Sequence, residues 1–361
     1  MNELEKNRKL IDEIDKKTAQ LFEERMLAAK EIAKYKKERG LAVFDPVRET
    51  EVIKKNSAYV KNEELREYYV TYAKNVMSIS KDYQNRLFDG TRVAYSGTEG
   101  AFAHIAAKKL FPESTLISCG DFEAAYRAVE RGEYDYAVLP IENSYAGDVS
   151  GVLDLIFTGD LFINRVLELE VKHNLLGLKG APLSGIKTVV SHPQALRQCA
   201  EYIKEHGFKV VEYSNTALAA KYVMELADPT VAAIASDETA ENFGLEVLAS
   251  GINSLKTNTT RFAVFSRAQH VPSANSKNEN EHFILTFTAK NEAGALAQAL
   301  NIIGAHGYNM RSLISRPMKE LLWNYYFYVE ADGNVGTTNG KEMLQELSAV
   351  CAKLKLAGTY N

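Results

Sequence analysis

Long apolar runs are missing from this chain: none of its 361 residues begins an unbroken apolar stretch of 18, so no segment reads as a membrane-spanning helix. No secretory leader is expected either. The opening MNELEKNRKLIDEIDKK is too charged for the apolar core of a secretory signal. Cysteine is scarce: Cys119, Cys199 and Cys351 are odd in number, far apart and set in apolar or helical contexts. That excludes a disulfide framework and reads as reduced thiols. Excess positive charge is absent as well. At a formal net charge of −4 there is no general attraction for nucleic acid or a membrane surface, so a basic site must be local. Repeats and low-complexity tracts are absent. The expectation is a soluble, cytoplasmic, multidomain protein, too long for one core.

Proline and glycine are nearly absent from residues 3 to 88, where Pro46 is the one proline. Ile11, Ile14, Thr18, Leu21, Phe22, Arg25, Ala28, Ala29 and Ile32 recur at helical spacing. A helix over about 5–38 would be roughly 50 Å long, more than a small domain can cover, so an intertwined helical dimer is expected. RGLAVFDP breaks it, and further helices follow near 46–57 and 63–88.

From Thr91 the period changes. RVAYSG, YDYAVLPIE, KTVVS, KVVEYS, TVAAIAS and RFAVFS are strand-like and mostly alternate with helical stretches. This predicts an α/β domain over 91–270 with a largely parallel sheet. The gap between the two strand sets, near 145–185, predicts two lobes and a cleft. After the polar linker QHVPSANSKNENEH comes strand, helix, strand, strand (LLWNYYFYVEA), helix and a last strand at LKLAGTY. Over 282–361 this is the ferredoxin-like order of an α+β module.

Charged residues interrupt the first helix's apolar stripe. Arg25 and Lys36, about three turns apart, share a face, and Arg8 lies on another. Asp45, Arg48 and Glu49 open the second helix, and Ser80 and Gln84 are neighbours on the third. This spacing fits a salt-bridged dimerisation module, or a pocket of cations, carboxylate and amide for a small dicarboxylate.

In the α/β segment, Gly97 and Gly100 form a turn before a helix whose amino terminus favours an anion. Glu142, Asn143 and Ser144 follow a strand, and Ser191, His192 and Gln194 follow another, where α/β proteins place binding residues. His192 also fits a helix cap, and Glu142 a surface carboxylate. Thr259 and Thr260 precede Arg261 at the mouth of an apolar strand. Such an arginine needs an anionic partner.

Residues 1–88 resemble the all-helical chorismate mutases. That family's set of Arg, Arg, Lys, Asp, Arg, Glu, Ser and Gln falls without a gap on Arg8, Arg25, Lys36, Asp45, Arg48, Glu49, Ser80 and Gln84. The rearrangement of chorismate to prephenate is unimolecular and needs positioning and donors to the ether oxygen. The resemblance implies arginine forks on the carboxylates, Lys36 and Gln84 as those donors, and Glu49 on the substrate hydroxyl. Arg8 would reach across from the partner subunit.

Residues 91–270 resemble prephenate dehydratase through Gly97–Phe102, Pro140–Ser144, Ser191–Leu196 and Asn258–Phe262, with Ala103 where the family often has serine. The resemblance implies Thr260 as the acid or proton relay, Arg261 on the side-chain carboxylate, and Glu142, Asn143 and Ser144 on the ring hydroxyl. Thr259, Ser191, His192 and Gln194 would complete the substrate contacts; Phe262 belongs to the motif, though its setting reads as core. The last segment resembles the ACT regulatory domain. Gly294, Ala295 and Leu296, with Ser315, Arg316 and Pro317, match that domain's phenylalanine site, while Ile314 replaces its glutamate.

In this order the segments resemble the bifunctional chorismate mutase and prephenate dehydratase family. That implies phenylpyruvate synthesis without metal or organic cofactor, phenylalanine feedback, and a homodimer or homotetramer. Prephenate and its amino analogue arogenate both fit. A non-catalytic amino-acid sensor gives no reason for a relay hydroxyl at Thr260, and a dead helical module none for the intact set from Arg8 to Gln84.

Overall fold

The structure, a computed structural model, describes residues 2–255, 257–273, 280–318 and 324–361. It divides into two compact units, Met1–Arg92 and Val93–Asn361. The first is three helices: α1 (Glu3–Glu38), α2 (Pro46–Ser57) and α3 (Glu63–Asp89). Each start is set by a side chain that accepts from an otherwise orphaned N–H: Asn2 for α1, Asp45 for α2 and Asn62 for α3. Only Ala29 and Ala33 of α1 are buried in the single chain, while Ile11 and Leu21 stay more than half exposed, at 56% and 63%.

The second unit begins with β1 (Arg92–Ser96), α4 (Phe102–Leu110), β2 (Thr115–Cys119), α5 (Phe122–Glu130), β3 (Tyr136–Asn143) and β4 (Gly147–Asp148). Next come α6 (Ser150–Thr158), β5 (Phe162–Glu170) and β6 (Asn174–Gly177). The second lobe continues with β7 (Thr188–Ser191), α7 (Pro193–Gln198), α8 (Ala200–His206), β8 (Lys209–Glu212), α9 (Thr216–Leu226), β9 (Val231–Ala235), α10 (Asp237–Phe243) and β10 (Glu246–Ala249). Then β11 (Thr259–Ser266) returns to the first lobe. The chain ends with β12 (His282–Thr288), α11 (Ala295–Ala305), β13 (Met310–Pro317), β14 (Tyr325–Asp332), α12 (Thr338–Val350) and β15 (Lys353–Tyr360). Of the expected strand at 321–331, residues 321–323 lie outside the described residues, as do 274–279 of the linker.

Two sheets result, ordered β13-β14-β12-β15-β5-β11-β3-β1-β2, with β4 on β3, and β10-β6-β9-β7-β8. The expectation of a largely parallel sheet is corrected: β11 runs antiparallel to both β3 and β5, and β6 to both β9 and β10. The physical reason is the crossing. The chain passes between lobes along β5 to β6 and back along β10 to β11, and strands joined without a crossover helix do not pair as parallel neighbours. The stretch read as a gap, 145–185, carries α6, β5 and β6.

The carboxy-terminal sheet is antiparallel, with α11 and α12 packed on one face through Ala299, Ile303, Met343 and Leu347. Its other face is covered by α6, where Leu153 and Ile156 share a core with Ile284, Tyr328 and Ala357. It also continues the first sheet, because β15 pairs with β5 at Gly358 and Ile163. A Cβ on Gly358 would collide with the Ile163 carbonyl oxygen. Gly358→Ala is expected to destabilise the second unit by about 1–3 kcal/mol, read by denaturant unfolding. Unchanged stability would mean that the junction is loose.

Candidate active sites

In the helical unit, the Arg25 guanidinium donates to the Ser80 hydroxyl, and Gln84 Nε2 donates to the Ser80 carbonyl at 3.3 Å. Ser80 and Gln84 are buried, and Gln84 Oε1 has no partner. Lys36 Nζ donates to the Val43 carbonyl at 2.8 Å. Glu49 accepts two bonds from Lys81 Nζ, at 3.0 and 3.1 Å, so Lys81 joins the set, unflagged by the sequence reading. Two expected residues are spent otherwise. The Asp45 carboxylate caps α2 by accepting from Arg48 N–H at 3.0 Å, because an Asp before an N1 proline is placed to do that. The Arg48 guanidinium turns outward to Glu51 at 3.6 Å and is 69% exposed. Arg8 is exposed and lies about 25 Å along α1 from Arg25, at 1.5 Å rise per residue. Within one chain Arg25, Ser80 and Gln84 are bonded together and Glu49 is held by Lys81, the residue after Ser80, whereas Lys36 is bonded to Val43 and Arg8 is remote.

In the second unit the decisive pair is Asn143 and Thr260, directly opposite on β3 and β11. Asn143 Oδ1 accepts from the N–H groups of Tyr145 and Ala146, at 3.1 and 2.9 Å. Its Nδ2 therefore donates to Asn258 Oδ1 at 2.9 Å and Thr260 Oγ1 at 2.8 Å, with a longer contact to the Thr259 carbonyl at 3.2 Å. As an acceptor, the Thr260 hydroxyl keeps its own hydrogen for another oxygen.

Arg261 faces the other way. Successive strand residues point to opposite sides, so Thr260 shares a side with buried Phe262, packed in the core of Val93, Tyr95 and Ala103. Arg261 shares its side with Ala263, toward Leu153, Tyr328 and Tyr360. There it donates to both oxygens of Glu330 at 2.7 and 3.0 Å, to Glu142 at 3.0 Å and to the Tyr360 hydroxyl at 2.8 Å. Burial works against the Arg261 charge, but Glu330 outweighs it and holds the guanidinium above its ordinary pKa. The anion for Arg261 is thus a buried carboxylate of β14. The strand alternation aims Arg261 and its partner Glu142 at the carboxy-terminal sheet, on the side opposite Thr260.

Several cleft residues hold the scaffold. Ser144 Oγ donates to the Thr257 carbonyl at 3.0 Å and accepts from Thr259 N–H at 2.9 Å. Ser191 is fully buried and donates to the Ile234 carbonyl at 2.6 Å. His192 caps α7, its Nδ1 accepting from Gln194 N–H at 3.2 Å, and burial lowers its pKa. The lobes meet where Thr239 Oγ1 donates to the Gly100 carbonyl at 3.0 Å, at a glycine with φ of +84° that a side chain would strain. Among the described residues no helix is long and apolar enough to cross a membrane.

A chorismate mutase type II family model matches residues 7–85, and a prephenate dehydratase family model matches residues 93–270. The bifunctional chorismate mutase/prephenate dehydratase of Buchnera aphidicola subsp. Acyrthosiphon pisum is 31% identical over 365 residues, spanning 97% of this chain and 94% of the relative. The chain belongs to the bifunctional chorismate mutase/prephenate dehydratase family. Two solved structures are each similar to about three quarters of the chain. The prephenate dehydratase of Arthrobacter aurescens in complex with L-Phe is 30% identical with a TM-score of 0.69, covering 75% of this chain and 89% of that one. GqqA, described as a quorum quenching acylase, is 31% identical with a TM-score of 0.68, covering 74% and 97%.

In this bifunctional family member the residues read as an effector site are split between two faces of the carboxy-terminal sheet. Ser315 pairs with Phe327, part of the α11–α12 core to which Leu296 belongs. Gly294, with φ of +86°, caps α11 just before Ala295. Arg316 points to the opposite side and donates to Ser150 Oγ at 2.8 Å and Asp154 at 3.3 Å, so its guanidinium is engaged by α6 of the dehydratase region. Pro317 lines a cavity of about 390 Å³ with Asp154, Phe157 and Tyr326. Ile314 packs beside Arg261, Glu142 and Glu330.

The sequence reading missed the lobe crossing. His173, between β5 and β6, is 2% exposed; its Nε2 meets Gln198 Oε1 at 2.8 Å, while His173 Nδ1 and Gln198 Nε2 are unpaired. Flipping the amide exchanges which of these atoms donate but leaves two unpaired. Burial lowers the His173 pKa, against the Gln198 hydrogen bond. The one signal was a histidine set among Lys172 and Asn174 just before the apolar pair Leu175 and Leu176, in VKHNLL.

Proposed function

We propose that residues 1–88 rearrange chorismate to prephenate, that 91–270 convert prephenate to phenylpyruvate, and that 282–361 form a ferredoxin-like ACT domain answering to phenylalanine. In the first step Arg25 and the partner subunit's copy of Arg8 hold the carboxylates, Lys36 and Gln84 donate to the ether oxygen, and Glu49 takes the hydroxyl. Pairing of two chains is supported by α1, whose Ile11 and Leu21 have no cover in one chain, and it would bring the missing Arg8.

In the second step the C–CO₂ bonding electrons enter the ring as the ring C–O bond breaks. One proton is consumed, and phenylpyruvate, carbon dioxide and water leave. Thr260 supplies or relays that proton to the departing oxygen. The observation that carries this reading is the Asn143–Thr260 bond, which leaves the hydroxyl hydrogen free. A phenylalanine effector is supported by the complex with L-Phe in the Arthrobacter relative. An acylase reading is weaker. The hydroxyls of Thr98, Ser144, Ser191 and Thr239 bond amides, carbonyls or another hydroxyl, whereas an acyl-transfer nucleophile needs an adjacent base.

The test is to give the purified chain chorismate alone and follow chorismate, prephenate and phenylpyruvate, with and without phenylalanine. Phenylpyruvate is expected, suppressed by phenylalanine, and Lys36→Ala should block the first step while sparing conversion of added prephenate. Prephenate accumulating without phenylpyruvate would overturn the second assignment, and untouched chorismate the first.

A further inference from the structure

Asn258 has no role in the reading above, and its Nδ2 has no partner. Its orientation follows from two backbone groups. Tyr145 and Ala146 N–H occupy Asn143 Oδ1, so Asn143 must present its NH₂ to Asn258 and Thr260. Asn258 can meet an NH₂ only with Oδ1, which turns its own NH₂ away. Thr260 can meet it only as an acceptor, which frees its hydroxyl hydrogen. One amide thus aims two donors, and both sit on residues nine-tenths buried, at 4% and 8% exposure. A buried donor without an acceptor asks for a ligand atom.

The position supports a ligand. Asn258 lies in the return crossing between the lobes, its carbonyl accepting from Val171 N–H on the outward crossing at 2.7 Å. It lines a small pocket with Tyr145, Gln198, Asn253 and Leu255, where Gln198 Nε2 is also unpaired.

We propose that Asn258 is a further catalytic residue of the dehydratase step, its Nδ2 hydrogen-bonding the departing ring oxygen beside the Thr260 hydroxyl. This rests on the dehydratase reading. As the C–O bond breaks, negative charge grows on that oxygen. Thr260 transfers a proton to one lone pair, and Asn258 stabilises another from a fixed dipole that need not reorganise. Being neutral, the amide does this without an ion pair that would hold the departing carboxylate in its ionised ground state. The balance needs no reactant beyond the one proton.

The experiment compares Asn258→Ala and Asn258→Asp with the unaltered chain, supplying prephenate and chorismate separately. Removing one such donor is expected to lower dehydratase kcat by about 10²–10³-fold, with KM changed only a few-fold and mutase turnover unaltered. The aspartate variant carries the sharper signature. A protonated carboxyl can still donate and a carboxylate cannot, so its dehydratase kcat should fall as pH rises through that group's titration, while the unaltered chain shows no such limb. Wild-type kcat in the alanine variant, a loss confined to KM, or an aspartate profile parallel to wild type would overturn the proposal. So would loss of the wild-type unfolding temperature in both variants, which would make Asn258 a structural strut. If the unaltered chain makes no phenylpyruvate from prephenate, the dehydratase reading itself has failed, a result separate from any of these.

Discussion

Thr260→Ala is expected to lower dehydratase turnover by about 10²–10⁴-fold, the range for a positioned proton donor, with little change in KM and none in mutase turnover. The free hydrogen of Thr260 exists because Asn143 Nδ2 donates to its oxygen. Removing the hydroxyl therefore removes the donor and leaves one hydrogen of Asn143 only the longer contact to the Thr259 carbonyl at 3.2 Å, at about 1 kcal/mol of stability. The two effects separate in Thr260→Ser, which keeps the hydroxyl and loses a methyl group: most of the turnover should return. Steady-state kinetics on prephenate, with unfolding of each variant, decides it. An alanine variant with unchanged kcat, or a serine variant as slow as alanine, would remove Thr260 from the chemistry.

Much of the frame was legible in the sequence because local physics set it. Residues 3 to 89 carry a 3.6-residue period in three runs, each opened by an N-cap, Asn2, Asp45 or Asn62, and tertiary packing did not override it. The capping role of Asp45 was legible too, since Asp before Pro at a helix start accepts from its own first turn. β5 was not legible: in FINRVLELE charged residues interrupt the apolar ones. The two-fold period of a strand was enough to say that Thr260 and Arg261 point apart. The resemblance groups them as one motif, which carries no information on which side of the strand each side chain takes. Glu330 was beyond reach, because it meets Arg261 from 69 residues away and no local pattern records such a contact. Asn258 stood inside a quoted motif, but its unpaired amide is a property of four hydrogen bonds, not of spacing.

Arg261→Ala separates the two roles open to that arginine. If it gripped a substrate carboxylate, KM for prephenate would rise steeply and the fold would be indifferent. The structure predicts the reverse: KM nearly unchanged and a stability loss of about 3–5 kcal/mol, the cost of leaving a buried charge without its partner. Glu330 has a side-chain exposure of 1%. Burial alone would raise its pKa, but the Arg261 guanidinium and the Tyr360 hydroxyl more than offset that and hold it below the ordinary value. Because the folded pKa is depressed, the stabilisation is present above the unfolded carboxylate range and is lost as pH falls through the folded value. The gap between wild type and Arg261→Ala should therefore be widest near neutrality and close in acid. Without Arg261, burial dominates and Glu330 takes up a proton at a higher pH. A double variant, Arg261→Met with Glu330→Leu, removes both charges and should recover much of the lost stability, since well-packed apolar pairs can replace buried ion pairs. Denaturant unfolding across pH, alongside KM for prephenate, is the measurement. A large KM rise with stability intact would return Arg261 to the substrate, whereas a stability loss rescued by the apolar pair would fix it as the clasp between β11 and the carboxy-terminal sheet.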